Sequence, residues 1–170
     1  MISRISYCGI NQKGKIVDID GGIGAVENIK SLGLEIGDKV TIHNRQNGRG
    51  KIHLVKNGAE IPIGYELSSK ILIECKEQPK ITLDQIKVGD TVKVVKMGAK
   101  GDIRFRLLDM GLVKGVKLKV VRVAPLGDPI EVFLNGFYLS LRLEEAENIE
   151  VEIVKIHKGN NHNKKRWGLF

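Results

Sequence analysis

Of the six cysteine and histidine side chains that could ligate a metal, four lie in the first half of the chain. They are, in chain order, Cys8, His43, His53 and Cys75, and their spacing matches no zinc motif. A hairpin that turns symmetrically about Gly48 would place Ile42 opposite Leu54, with both facing the core. His43 would then oppose His53 on the outer face, where two neutral imidazoles suit a divalent transition metal such as iron or zinc. The alternative is a pair of solvated polar side chains.

The second half carries candidate residues for binding a partner. Arg104 and Arg106 lie among the apolar residues of a predicted helix, and Arg142 follows the third predicted strand. These guanidinium groups could pair with acidic groups or bound phosphate on a partner. Asp109 and Met110, at the exposed end of the same helix, complete the candidate surface. The alternative is ordinary solvated charge or ion pairing within the domain.

No catalytic set can be assembled from the sequence. The chain contains no phosphate loop of the form GxxxxGK[ST], no HExxH zinc motif and no GxSxG nucleophile elbow. We therefore predict that the protein is not an enzyme and takes no small-molecule substrate.

The two cysteines and the N-terminus bear on the cellular compartment. MISRISYCGI has no apolar signal core, and no apolar run approaches the length of a membrane span. Cys8 and Cys75 are therefore interpreted as reduced thiols, buried in the first and last strands of their domain. The predicted location is the cytoplasm, including the inner face of the membrane.

The net charge of +8 is unevenly distributed. The two halves of the chain are nearly balanced, whereas residues 157–170 contain four basic residues and no acidic one. A nucleic-acid binder would be expected to concentrate positive charge on its folded surface, so this distribution argues against that class. The tail is either disordered or contacts an anionic membrane face or a partner.

The sequence repeats itself at an offset of 78 residues. Residues 31–73 align without gaps on 109–151, and both the turn glycines and the apolar positions coincide. Charged residues and a proline interrupt the pattern at residues 76–80. The prediction is two homologous domains, 1–77 and 78–156, followed by a basic tail at 157–170.

Each repeat is predicted to contain one short helix that ends at a glycine. In the second repeat Asp102 is the predicted N-cap and Gly111 the left-handed residue after the helix, with Leu107 and Leu112 making the apolar contact of a Schellman ending. The glycines predicted to form structural turns are Gly33, Gly37, Gly58, Gly111, Gly115 and Gly136.

Five short strands and one small helix per repeat indicate an all-β chain of two tandem SH3-like β-barrels. A domain of this size has a small core, so association of the halves or of several chains into a homo-oligomer would add stability.

The second repeat resembles the FeoA (ferrous iron transport protein A) family. The run RLLDMGLVKGVKLKVVRVAPLGDPIEVFLNGFYLSLRLEEAENIEV shows that family's Arg-Leu helix, Met-Gly-Leu turn, Pro-Leu-Gly-Asp-Pro loop and Leu-Arg…Glu-Ala ending. The first repeat resembles the family in outline, with QNGRG in place of the loop and YELSSK in place of the ending. The resemblance implies an SH3-like fold and a cytoplasmic, non-enzymatic role beside the permease FeoB, in contact with its cytosolic GTP-binding part.

Two other function classes stay open at this point. The sequence pI of 9.5 would be compatible with an SH3-like module that binds nucleic acid. An SH3-like regulatory module of the kind found in iron-dependent repressors is the other alternative. No segment is typical of a DNA-binding helix-turn-helix, so such a module would have to act in trans.

Overall fold

The computed structural model describes residues 1–46 and 49–159 and divides the chain into two compact units. The first unit contains Met1–Glu77 together with Lys158–Phe170, of which Gly159 is the last described residue. The second unit is Gln78–His157. Residues 160–170, most of the basic tail predicted from the sequence, lie outside the described part of the chain.

The first unit is a six-stranded antiparallel sheet with three short helical segments. In chain order its elements are β1 Ile2–Arg4, a 3-10 helix Ile5–Tyr7, β2 Lys13–Ile19, α1 Ile23–Ser31, β3 Lys39–Arg45, β4 Ile52–Lys56, β5 Ala59–Ile63, α2 Tyr65–Ser68 and β6 Ile71–Cys75. The strand order is β1-β6-β2-β3-β4-β5. Strands β2 to β5 therefore form a meander, and β6 returns to pair with the first strand of that meander.

The second unit repeats this topology. Its elements are β7 Ile81–Thr82, a 3-10 helix Leu83–Gln85, β8 Thr91–Met97, α3 Gly101–Asp109, β9 Lys117–Val123, β10 Ile130–Leu134, β11 Phe137–Leu141, α4 Leu143–Ala146 and β12 Ile149–Lys155. The strand order is β11-β10-β9-β8-β12-β7. The predicted fold, two tandem SH3-like domains in an all-β chain with a small helical insert, is confirmed.

Each domain also has a short first strand that the sequence did not reveal. β1 pairs with β6, and β7 pairs with β12, which extends each sheet from five strands to six. The 3-10 turn follows at once, so Cys8 lies just after this turn and not in a strand as predicted. Cys75, in contrast, is the last residue of the last strand.

The inner face of each sheet supplies the core through alternation along the strands. Val40 and Ile42 on β3 are at most 2% exposed, and Leu118 and Val120 occupy the same positions on β9 with at most 1% exposed. Because successive side chains of a strand point to opposite faces, this pattern requires every second residue of the strand to be apolar. Both repeats keep apolar residues at these alternate strand positions.

Both longer helices end in the Schellman pattern that the sequence predicts. Gly33 and Gly111 have φ values of 81° and 87°. The Leu34 amide donates to the Ile29 carbonyl at 3.2 Å, and the corresponding bond from Leu112 to Leu107 is 3.0 Å. A residue with a Cβ is strained at such φ values, which explains glycine at both positions.

The other predicted turn glycines also lie in the left-handed region. Gly37 and Gly115 have φ values of 101° and 89°. Gly58 and Gly136 each follow an asparagine with positive φ, which is the pattern of a two-residue hairpin turn.

The predicted N-cap of α3 was wrong by two residues. The N-cap is Lys100, and Asp102 lies in the first turn of the helix, where its carboxylate faces the positive end of the helix dipole.

The described end of the chain is held to the first unit, because the Gly159 amide donates to the Asp20 carboxylate at 2.9 Å. Asp20 is also paired with the fully buried guanidinium of Arg4 at 3.0 Å. Among the described residues, no helix has the length and apolar character needed to cross a membrane.

Candidate functional site

A shallow depression in the second unit lies between α3 and α4. Its volume is about 250 Å³. The residues lining it are Asp102, Ile103, Arg106, Arg142, Glu144 and Glu145. α3 contributes three exposed residues to it, Asp102, Ile103 and Arg106.

Glu145 organises this depression. Its side chain is 5% exposed, and it forms an ion pair with Arg106, whose side chain is 47% exposed. The same carboxylate accepts a hydrogen bond of 2.9 Å from the backbone amide of Arg142, the N-cap residue of α4. One nearly buried carboxylate therefore links the two helices and fixes the position of Arg106.

The structure brings together two of the five predicted partner-binding residues. Arg106 and Arg142 both line the depression. Arg104 points elsewhere and donates a hydrogen bond of 3.2 Å to the Met97 carbonyl. Asp109 is exposed at the last position of α3, and Met110 is half-buried at its C-cap.

Sequence reasoning missed an exposed aromatic pair on the β10–β11 hairpin. Phe133 and Tyr138 are cross-strand partners whose ring centroids are 5.0 Å apart, and they are 38% and 66% exposed. β11 is an edge strand of its sheet. The hairpin turn reaches the end of α3, because a Cβ built on Gly111 would approach the side-chain amide of Asn135 to 3.2 Å.

The predicted histidine pair in the first unit has a different register from the one expected. Ile42 does face Leu54, as predicted, but a β-bulge follows, and His53 lies opposite Asn44. His43 is the extra residue of the bulge, so the two imidazoles are not direct cross-strand partners. The symmetrical hairpin predicted from the sequence is corrected on this point.

Both imidazoles nevertheless face the same carboxylate. The Nδ1 atoms of His53 and His43 lie 2.9 and 3.6 Å from Oε1 of Glu60. Within residues 1–46 and 49–159, no group of three or more His, Cys, Asp or Glu side chains is arranged to hold a metal ion. The pair is therefore an incomplete ligand set.

The profile of the FeoA domain matches this chain twice, over residues 4–75 and again over residues 81–153. The chain belongs to the FeoA family. FeoA proteins are accessory proteins of ferrous iron transport and are not a known enzyme family.

The chain is also similar to relatives with known names and structures. The chain is 39% identical over 72 residues to a Fe(2+) transport protein A/Fe(2+) transporter FeoB fusion protein of Porphyromonas gingivalis, a match covering 42% of this chain and 8% of that protein. The solution structure of iron(II) transport protein A from Clostridium thermocellum is 16% identical, with a TM-score of 0.56, over 89% of this chain and 88% of that one. A zinc-complexed FeoA of Stenotrophomonas maltophilia, described as an SH3 domain protein, is 30% identical over 42% of this chain and 88% of that one, with a TM-score of 0.36.

The two FeoA domains carry different types of side chain at two exposed positions. At the repeat offset, Phe105 of the second domain corresponds to Glu27, and Tyr138 corresponds to Glu60. Phe105 lies on α3 and is 65% exposed. This contrast was visible in the aligned repeats and would have identified Phe105 and Tyr138 before the structure was known.

Proposed function

We propose that this protein is a non-enzymatic accessory and regulatory protein of ferrous iron uptake that works in the cytoplasm by contacting an FeoB permease. The observation that carries the proposal is the fusion relative of Porphyromonas gingivalis, in which transport protein A and the transporter FeoB form one polypeptide. Two proteins joined in one chain in a relative are good candidates for physical partners when they are separate. The part of the permease expected to make contact is its cytosolic GTP-binding part.

The second FeoA domain offers the better surface for this contact. Phe105, Phe133 and Tyr138 are large apolar side chains that remain exposed, and aromatic and arginine residues are the types that dominate binding energy at protein interfaces. Arg106 keeps nearly half of its side chain exposed while Glu145 holds it in place. Its free edge, together with the exposed Arg142, can pair with carboxylates of a partner.

The proposal is tested by a pull-down of the full chain with the cytosolic GTP-binding part of the cognate FeoB at low salt. The variant Phe105→Glu places a charge in the proposed interface and copies the residue of the first domain at this position. It should weaken retention about tenfold or more, since burying an unpaired carboxylate costs several kcal/mol.

The matched control is Ile23→Glu on α1 of the first domain. Ile23 is 62% exposed, close to the 65% of Phe105, so the two variants make similar chemical changes at similarly accessible helical positions. The control should retain the permease fragment as the unmodified chain does. No retention of the unmodified chain, or equal loss in both variants, would contradict the proposed surface.

A second candidate function is weak binding of a divalent transition metal by His43 and His53. It is favoured by the convergence of both imidazoles on the Glu60 carboxylate, which draws two nitrogen ligands and one oxygen ligand toward one place. Since the three groups do not form a preorganised site, any ion held there would need further ligands from water or from a partner. Such a metal site would be transient or shared with a partner, and it would not be a structural site.

A further inference from the structure

The first FeoA domain contains two cysteines that its fold brings together. Cys8 follows the 3-10 helix, and Cys75 ends β6. β6 lies beside β1, and the Cys75 amide donates to the Met1 carbonyl at 2.8 Å. The two ends of the domain therefore meet where both thiols are buried, with Cys8 0% and Cys75 4% exposed.

One side chain, Gln12, ties together the segments that follow the two cysteines. Its carbonyl oxygen accepts a hydrogen bond of 3.0 Å from the Gly9 amide, one residue after Cys8. Its amide nitrogen donates to the Glu77 carbonyl at 2.8 Å, two residues after Cys75. This bridge therefore holds the segments that follow the two cysteines close to each other.

We propose that Cys8 and Cys75 are a reversible oxidation site, a dithiol that hydrogen peroxide converts into a disulfide within the first FeoA domain. Both are free thiols that belong to the buried core cluster of this domain. The Cys8 sulfur lies 3.3 Å from the Arg4 carbonyl oxygen, and the Cys75 sulfur lies 3.4 Å from the Glu77 carbonyl oxygen that also accepts from Gln12. The proposal concerns the chemistry of this pair and does not depend on the permease contact.

The two thiols are electrostatically unequal, and this gives the reaction an order. The hydrogen bond from Cys8 lowers the pKa of Cys75 to about 7; burial opposes this shift, and the N-terminal ammonium and Gln12 support it. The hydrogen bond to Cys75 and burial raise the pKa of Cys8 far above its ordinary value. Cys75 is therefore the thiolate, which is the nucleophilic form, and Cys8 is the protonated partner that resolves it.

Access for the oxidant is also asymmetric. Cys75 keeps a small exposed surface, whereas Cys8 has none. Gln12 and the two neighbours of Cys75 in the chain, Glu74 and Lys76, line an open groove of about 690 Å³ on this domain. A molecule as small as hydrogen peroxide therefore has a route to the neighbourhood of Cys75, and the order of accessibility matches the order of acidity.

The reaction balances with peroxide as the only oxidant. The Cys75 thiolate attacks one peroxide oxygen, the O–O bond breaks, and the departing hydroxide takes up a proton to leave as water, which gives a sulfenic acid. The sulfur of Cys8, as it loses its proton, attacks the sulfenic sulfur, and the S–O bond breaks as a second water leaves. Two thiols and one peroxide give one disulfide and two waters, and a dithiol reductant reverses the change by exchange.

The second FeoA domain shows that packing alone does not require cysteine here. At the repeat offset Cys8 corresponds to Ile86 and Cys75 to Ile153, and Ile86 is 1% exposed. Isoleucine therefore occupies both equivalent positions, with Ile86 buried and Ile153 partly buried. The cysteines add a reactivity that the second domain lacks, and the substitutions Cys8→Ile and Cys75→Ile are expected to leave the fold intact.

The test is to treat the full folded chain with a modest excess of hydrogen peroxide, to alkylate the remaining thiols under denaturing conditions, and to measure the mass of the protein by mass spectrometry. We expect both thiols to become protected together, a peptide map that links residues 8 and 75 of one chain, and full recovery of alkylation after dithiothreitol. A disulfide that joins two chains would overturn the proposal. So would oxidation of Cys75 to a sulfinic acid while Cys8 stays alkylatable.

Two variants separate pairing from simple burial. In Cys8→Ile, with its fold checked by circular dichroism, the loss of the hydrogen bond should move the pH midpoint for alkylation of Cys75 from about 7 toward about 8.5, the ordinary thiol value. The same variant should end at the sulfinic acid under peroxide, because no resolving thiol is present. A midpoint that does not move would show that the two thiols do not act on each other.

Discussion

Replacing Gly111 with alanine should destabilise the second FeoA domain by about 1–2 kcal/mol. Gly111 ends α3 with a φ of 87°, and a residue with a Cβ pays about that amount in the left-handed region. The new Cβ would also approach the Asn135 side-chain amide to 3.2 Å, a contact that this flexible group can relieve by a small shift. The main cost is therefore backbone strain.

The repeat supplies a matched variant for this prediction. Gly33 has a φ of 81°, and a Cβ built on it meets nothing within 4 Å. Gly33→Ala should therefore show the strain without the contact and cost the first domain a similar amount. The difference between the two variants, expected below about 0.5 kcal/mol, measures the Asn135 contact.

Gly24→Ala is the control that should behave in the opposite way. Gly24 lies in α1, has no positive φ, and a Cβ there also meets nothing within 4 Å. Alanine at an unstrained helical position reduces the entropy of the unfolded chain, so this variant should be neutral or gain up to about 1 kcal/mol.

The assay is thermal and urea unfolding of the full chain, followed by circular dichroism. For domains of this size, 1 kcal/mol shifts Tm by about 4–8 °C, so the predicted losses are easily resolved. If Gly111→Ala and Gly33→Ala unfold at the same temperature as Gly24→Ala, then the left-handed turns do not constrain the two helices as argued.

Two further predictions concern the Asp38–Lys56 ion pair and the two histidines of the first domain. Burial alone would raise the pKa of Asp38, but a hydrogen bond and charge from Lys56 and a backbone amide lower it below its ordinary value. The stability from this pair should be present above the unfolded pKa, about 3.9, and lost as pH falls through the folded pKa; in Asp38→Asn the unfolding free energy should fall less between pH 5 and pH 3. Zinc titration of the untagged chain by calorimetry should give weak binding that His43→Gln or His53→Gln removes and His157→Gln keeps; binding that survives both of the first two substitutions would exclude this pair as the ligands.

The duplication kept the scaffold and changed the chemistry carried on it. Both domains have the same sheet order, the same helix ending and a bulge at the same place, where His43 and Val121 are the extra residues. The first domain has the thiol pair and the histidines, and the second has the exposed aromatic residues and the Arg106–Glu145 pair. A division of this kind would be required if the two domains had separate roles, one regulatory and one in docking.

Features of the fold that depend on local spacing could be predicted from the sequence. A helix that ends at a left-handed glycine needs only a glycine and two apolar residues at fixed distances, so both endings were readable at Gly33 and Gly111. The bulge at His43 could not be predicted, because one extra residue leaves the alternation on each side unchanged. The N-cap of α3 was misplaced because an acidic residue is favourable both at the N-cap and in the first turn.

The sequence by itself determined that this protein is a repeated FeoA domain, since the offset preserves the apolar face and the turn glycines on which each small sheet depends. Only the tertiary structure decided which reactive groups meet. The segments that carry Cys8 and Cys75 come together because β6 returns beside β1, and Glu145 reaches Arg106 because α3 and α4 line the same depression. Contacts of this kind join segments distant along the chain, and periodicity within one strand or helix carries no information about them.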